Sequence, residues 1–217
     1  MPQPILTENV FDVFQEGLIR GTARLPYAPK KEYFYVEHPT EGWRVYLRAA
    51  CFLHELYKPF QTTRFLVVKR TDGAAEKATW EPPKGQMEGR DMLKDKETSI
   101  LQLLKKTIRR EVAEEAKIKT VRELTHTKLI VQSVEPDFPP NTYFQYHIFS
   151  GYVHPLQIKS AFAEFDWILE HRNDFLKGSS DMKEKDGIAW YKKEETKLMG
   201  KWSPTIVQLY VKKFGKV

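Results

Sequence analysis

Glu111, Glu114 and Glu115 stand at offsets of zero, three and four, so on a helix their three carboxylates share one face. Like charges at that spacing repel, and a solvated helix face normally interleaves them with lysine. A divalent cation removes the penalty, because hard ions such as Mg²⁺ are bound through carboxylate oxygens and water. Upstream, Trp80-Glu81-Pro82-Pro83-Lys84-Gly85 makes a rigid turn that would bring Lys84 and backbone groups near the same face. Carboxylates for a metal and a lysine for a phosphate together point to hydrolysis of a phosphoanhydride.

These residues resemble the signature of the Nudix hydrolases. That signature reads glycine, five residues, glutamate, seven residues, then Arg-Glu-U-x-Glu-Glu-x-Gly-U, where U is apolar. Gly85 matches the opening glycine, and Arg110, Glu111, Val112, Glu114, Glu115 and Ile118 match the second half. The chain departs from the pattern at three points. Asp91 stands where the first glutamate falls, and Lys117 replaces the last glycine. Gly85 and Arg110 are 25 residues apart where the pattern has fourteen, an insertion of about eleven around residues 92–102.

The resemblance implies an α+β fold, an α/β/α sandwich around a mixed sheet, and metal-assisted attack of water on phosphorus. It implies Mg²⁺ or Mn²⁺ held by Glu111, Glu114 and Glu115 with help from the Gly85 carbonyl. Glu114, Glu115 and Arg110 are then the catalytic set, with Arg110 bracing the helix against Asp91, Glu88 or Glu97 rather than touching substrate. One carboxylate must also take a proton from water. Glu114 and Glu115 are candidates within the motif, and Glu135 and Glu164 are candidates on other segments. Lys84 and Arg70 are the expected substrate-binding residues.

The Trp80-x-x-Pro-Lys-Gly85 turn resembles that of mRNA-decapping and dinucleoside-polyphosphate hydrolases more than the Pro-Gly-Gly turn of many nucleotide-sugar hydrolases. Capped RNA is therefore the leading substrate. A dinucleoside polyphosphate or small nucleotide comes second, and an inositol pyrophosphate third. Trp43, Tyr143, Phe144, Tyr146 and Trp190 are available to stack a base, at about 1–3 kcal/mol per base. Aromatics in strands are more often core. The rival reading is a Nudix-fold protein that has lost catalysis and serves as an RNA-binding or assembly subunit. Lys117, Asp91 and the insertion favour it. Retention of Glu111, Glu114, Glu115 and Lys84 opposes it, since a scaffold has no need of a self-repelling cluster.

The elements that must position these groups can be read from periodicity. Residues 1–41 read as an N-terminal extension and 42–217 as the Nudix-like domain, with an insertion near 159–186. Within the extension, Val10, Phe11, Phe14 and Leu18 have helical spacing over residues 8–19 behind Thr7, and residues 32–37 read as a short strand. Strands are expected over 43–53, 64–69, 128–134, 143–153 and 187–191. The catalytic helix is expected over about 98–117, capped by Thr98 or Ser99. Its stripe of Leu101, Leu104, Ile108 and Val112 would lie beside the carboxylate face. Asp91 to Glu97 reads as loop. A closing helix begins at Trp202-Ser203-Pro204, with Ser203 as cap, Pro204 in the first turn and Ile206, Val207, Tyr210 and Val211 as its apolar face.

Composition bounds the rest. The 217 residues are 41% hydrophobic and 29% charged, and 35 Lys+Arg against 29 Asp+Glu leave a net charge of +6. That excess suits a polyanionic partner such as a nucleotide or RNA, or serves solubility alone. Residues 192–217 concentrate it, with seven lysines against two glutamates. The single Cys51 excludes an intramolecular disulfide or a cysteine-rich zinc site, and its apolar neighbours make it a buried thiol. Six histidines form no ligand-spaced pair, so oxygen ligation is expected. No apolar stretch of membrane-spanning length and no signal-peptide pattern occurs, so a cytoplasmic location without membrane contact is expected. Oligomeric state is not indicated.

Overall fold

The largely apolar run after Trp43, broken at Arg48, becomes β4 (Arg44–Glu55), buried along nearly its whole length in a computed structural model describing residues 5–7, 9–70, 80–91, 97–135, 137–178, 183–198, 200 and 202–215. Apolar side chains at both parities mean that both faces of this strand are covered. The other elements are β1 (Ile5–Leu6), β2 (Ile19–Leu25), β3 (Ala28–Glu37), β5 (Leu66–Arg70), β6 (Trp80–Glu81), β7 (Lys84–Gln86), α1 (Ile100–Ala116), β8 (Arg122–Val134), β9 (Thr142–Val153), α2 (Pro155–Glu170), α3 (Arg172–Phe175), β10 (Lys185–Trp190) and α4 (Ser203–Phe214). Among the described residues one sheet has the order β1-β8-β9-β4-β3-β2, with β7 also on β4, and a second has the order β10-β5-β6.

The large sheet is mixed. β3 lies antiparallel to β4, with Tyr35 opposite Tyr46 and Val36 opposite Val45. β4 and β9 start together, where the Arg44 N–H donates to the Asn141 carbonyl, and end together, where the Leu56 N–H donates to the Val153 carbonyl, so they run parallel. The expected α+β class with a mixed sheet is what the chain adopts.

By its contacts the chain divides into two units, and β4, β8, β9 and α1 each contribute residues to both. The first unit comprises Met1–Ala50, Gly85–Ile108 and Lys128–Ile148. Its β2–β3 hairpin turns at Pro26 and Tyr27, and a cluster of Leu25, Tyr33, Tyr46 and Phe144 fills its core. The start of α1 is closed by a capping box, in which the Gln102 N–H donates to Ser99 Oγ (3.3 Å) and the Ser99 N–H to Gln102 Oε1 (3.4 Å).

A helix is expected over residues 8–19, and among the described residues of that stretch, 9–19, none forms. The Phe14 N–H donates to Asp12 Oδ1 (2.9 Å) in a local turn, and the Phe11 N–H donates to Gln132 Oε1 (3.0 Å). Gln145 Nε2 donates to the Phe11 carbonyl, and Phe11 stacks on Trp43 with ring centroids 4.6 Å apart. Tertiary partners for the backbone and the ring override the helical spacing. Residues 1–41 supply β1, β2 and β3, so the boundary expected at 41/42 falls inside this unit.

The second unit comprises Cys51–Lys84, Arg109–Thr127 and Phe149–Val217. In its small sheet Val68 faces both Ile188 and Glu81 across neighbouring strands. Tyr210 of α4 stacks on Phe52 at 3.6 Å and bonds His54 Nε2 (2.8 Å), while Phe65 stacks on Tyr191 at 4.6 Å. The first part of the stretch expected as an insertion, residues 159–170, belongs to α2, whose apolar face is Ile158, Ala161, Phe165 and Ile168. Pro155 starts that helix, and the His154 ring caps it by accepting from the Leu156 N–H (3.2 Å). Among the described residues no helix is long and apolar enough to cross a membrane.

Replacing Gln132 with Ala removes the acceptor of the Phe11 N–H and the donor to Thr7 and Asn9. The substitution is expected to cost about 1–3 kcal/mol for the polar groups left unpaired. Limited proteolysis should then cut residues 7–14 before any other described segment.

Candidate active site

The buried stripe of α1 does not stop where the acids begin. Leu103, Leu104, Thr107, Ile108, Glu111, Val112, Glu115 and Ala116 form one buried face at steps of three and four. Glu111 and Glu115 were expected beside the apolar stripe, and they continue it. Glu114 stands at the rim, with a quarter of its side chain exposed.

Burying two carboxylates requires partners, and the second unit supplies them. Glu81, Glu115 and Lys185 are 2%, 3% and 3% exposed. Lys185 Nζ lies 2.5 Å from Glu81 Oε1 and 2.8 Å from Glu115 Oε1. Lys84 Nζ lies 2.6 Å from Glu81 Oε2, and the Lys84 N–H donates to Glu115 Oε2 (2.8 Å). Ser203, expected as the cap of α4, instead begins the helix and directs its hydroxyl to Glu81 Oε2 (3.2 Å). The Pro82-Pro83 turn is pinned on β4 where the Cys51 N–H donates to the Pro83 carbonyl (2.9 Å). An irregularity in β10 between Lys185 and Gly187 re-aims Lys185 inward, as bulges do. Neither Glu81 nor Lys185 belongs to the helix motif. Lys185 sits in a run of charges, Lys183-Glu184-Lys185-Asp186, that gives no sign of burial.

Arg110 holds the outer pair. Its guanidinium lies 2.8 Å from Glu111 Oε1 and 3.0 Å from Glu114 Oε2. Burial pushes the Glu111 carboxyl up to about 8, the nearby Glu115 and Glu114 charges push in the same direction, and one guanidinium divided between two acids does not offset them. Burial likewise pushes Glu115 up, against the pull of Lys185. Burial acts upward on Glu81 too, but Lys84 and Lys185 outweigh it and hold the carboxyl down at about 2. The Cys51 thiol is buried and pushed up, as expected of a structural cysteine.

Lys117, standing where the pattern has glycine, adopts the left-handed conformation that glycine takes without strain (φ 59°). Its amine donates to the Glu114 carbonyl (2.8 Å), closing the end of α1, and burial pulls its pKa down.

The remaining expected residues lie elsewhere. Glu164 is exposed on α2, where its charge acts on Lys117. Arg70 is exposed at the end of β5, opposite Lys185 in register. Gly85 and Glu135 belong to the first unit, where Glu135 pairs with the buried Arg48 (3.0 Å). The backbone of Asp91 closes a short 3-10 turn, and residues 92–96 of the insertion lie outside the described residues. Trp43, Phe144 and Tyr146 are buried, Tyr143 lies edge-on to Phe11, and Trp190 is covered by the Arg64 guanidinium at 3.9 Å.

Among the described residues no group of three or more His, Cys, Asp or Glu side chains is gathered to hold a metal ion. The donor chemistry of Glu111 and Glu114 nevertheless suits a hard cation. Both are oxygen donors, they flank one shared guanidinium, and burial together with the neighbouring acids raises the Glu111 carboxyl, which a cation would relieve. Glu115 is engaged by Lys185 and the Lys84 N–H.

No family model matches the chain, and no curated protein matches it. Among solved structures it is similar to the E. coli ORF135 protein, at 16% identity over 82% of this chain and 98% of that one, with a TM-score of 0.41. It is similar to a mutT/nudix family protein from Listeria innocua at 18% identity, over 78% and 92% of the two chains, with a TM-score of 0.38. It is also similar to an ADP compounds hydrolase at 10% identity, over 100% and 98%, with a TM-score of 0.42. The chemistry open to this chain rests on its own side chains.

Glu81 and Glu111 oppose each other in pH. A Glu81 carboxyl held at about 2 against 4.5 contributes stability above pH 4.5 that is lost as pH falls towards 2. A Glu111 carboxyl raised from 4.5 to about 8 resists ionisation in the fold, so stability is lost as pH rises between those values. Thermal melts of the metal-free protein should therefore peak near the ordinary carboxylate range, and Glu111→Gln should flatten the alkaline limb only. At Lys117, replacement by Gly should hold or raise the melting temperature. Val there should lower it by about 2–8 °C, from roughly 1–2 kcal/mol of left-handed strain.

Proposed function

We propose that this chain is a divalent-metal-dependent hydrolase of a phosphoanhydride bond in a nucleoside-diphosphate-linked substrate, with the 5′ cap of RNA as the first candidate. The observation that carries this reading is Glu111, a buried acid pushed up to about 8 beside Glu114 on a shared Arg110. Such an arrangement serves a bound cation, and it is a liability in a purely structural helix.

Glu111 and Glu114 would hold Mg²⁺ or Mn²⁺, which when bound lowers the pKa of water and neutralises charge on the phosphates. Arg110 keeps the two carboxylates in one place and does not touch substrate. The proton from the attacking water passes to a carboxylate other than these two ligands. Lys84, anchored through Nζ on Glu81 and through its N–H on Glu115, supplies a fixed point charge for a phosphate rather than a mobile arm.

The +6 net charge and the lysines of residues 192–217 support a long anionic substrate such as capped RNA over a free dinucleotide. The second reading, an RNA-binding or assembly subunit without turnover, draws on the ion-pairing of Glu115, which removes one acid of the motif from open contact.

The deciding assay is release of product from cap-labelled RNA with Mg²⁺ or Mn²⁺. The native chain should release m⁷GDP, and Glu111→Gln should slow release by more than about 10²-fold through the lost cation ligand, since loss of a partner one shell further from a metal already costs about 10–100-fold. Hydrolysis of dinucleoside polyphosphates alone would move the substrate to the small-nucleotide class. No hydrolysis of either, with RNA still retained, would replace the enzyme by the binding subunit.

A further inference from the structure

We infer that Lys185 is an internal cation that takes the place of a metal ion at Glu115, so that the last acid of the motif is a positioning residue for the Lys84 turn and not a metal ligand. This rests on the metal-dependent reading above and narrows it to Glu111 and Glu114.

All four oxygens of Glu81 and Glu115 are engaged. Lys185 Nζ bridges Glu81 Oε1 and Glu115 Oε1 at 2.5 and 2.8 Å. Lys84 Nζ and the Ser203 hydroxyl meet Glu81 Oε2 at 2.6 and 3.2 Å, and the Lys84 N–H meets Glu115 Oε2 at 2.8 Å. Two carboxylates face two ammonium groups, and the bridging amine, at 4% side-chain exposure, is sealed from water. A divalent ion entering here would have to displace an ammonium that has nowhere to go, because a buried charge stripped of its partners is strongly disfavoured. The cation that neutralises this half of the acid cluster is thus already part of the chain.

The ammonium also fixes geometry. Glu115 lies on α1 and Glu81 on β6, and the bridging amine comes from the start of β10. The bridge ties the helix to the Trp80–Lys84 turn, and Glu115 then holds the Lys84 backbone through its second oxygen. A metal in the same position would couple that turn to metal loading. Lys185 makes the turn independent of it.

The test counts Mn²⁺ bound per chain, from the signal of free Mn²⁺ in equilibrium titrations, with thermal melts alongside. The native chain should bind Mn²⁺. Glu115→Gln should bind the same number of ions with Kd within about twofold, while Glu111→Gln weakens binding at least about tenfold. Lys185→Met, which leaves Glu81 and Glu115 short of one positive charge, should bind one ion more than the native chain. Loss of an ion or a tenfold weaker Kd in Glu115→Gln would overturn the assignment alone, as would a folded Lys185→Met with no additional ion. Should Lys185→Met fail to fold, Glu115→Gln decides. Absence of any Mn²⁺ binding by the native chain would overturn both this inference and the metal-dependent reading on which it stands.

Discussion

Removing a charge from water costs several kcal/mol unless an opposite charge and hydrogen bonds meet it inside. This chain buries Glu81, Glu115 and Lys185 together, and the arrangement of the second unit follows from that constraint. Lys185 must stand where it reaches both acids, so β10 is irregular at its start. Lys84 must turn back onto Glu81, which the rigid Pro82-Pro83 segment allows. Ser203 gives up capping α4 and directs its hydroxyl to Glu81 Oε2, the oxygen that Lys84 also meets. Removing any one partner leaves another stranded, so the network is specified as a unit.

The same constraint sets the chemistry of α1. Its buried stripe runs through Glu111 and Glu115, so each acid of the motif has a different fate according to where the helix turn places it. Glu115 is fully enclosed and neutralised by a lysine. Glu111 is enclosed and shares one guanidinium with Glu114, which leaves it short of positive charge. Glu114 reaches the rim. Three glutamates of one type thereby become a sealed anchor, a buried acid held by a shared guanidinium and an acid at the rim, separated by nothing more than their angle around the helix.

The first unit solves a similar problem by other means. Arg48, buried in the middle of β4, donates to Glu135 at 3.0 Å and to the Tyr27 hydroxyl at 3.2 Å, and its guanidinium lies 4.2 Å above the Phe144 ring. Gln132 and Gln145, also buried, hold the backbone of Asn9 and Phe11 by donating to their carbonyls. Buried polar groups, more than apolar periodicity, decide the path of the chain in this part of the molecule.

Local pattern by itself determined the central strands, the α1 cap at Ser99 and the closing helix, because each depends on residues within a few positions of one another. The carboxylate spacing, the double proline before Lys84 and the apolar run of β4 are properties of short segments. Other features depended on partners far along the chain. Helical spacing at Val10, Phe11, Phe14 and Leu18 yielded to hydrogen bonds that Phe11 donates to Gln132 and accepts from Gln145, more than a hundred residues away in sequence. The expected insertion proved to hold α2, whose apolar spacing was present, but whose cap is a histidine, a residue outside the usual capping set. Lys185 looked like one charge among several, and only the tertiary structure, by enclosing it between two acids from α1 and β6, turned it from a solvated lysine into the cation on which the buried site depends.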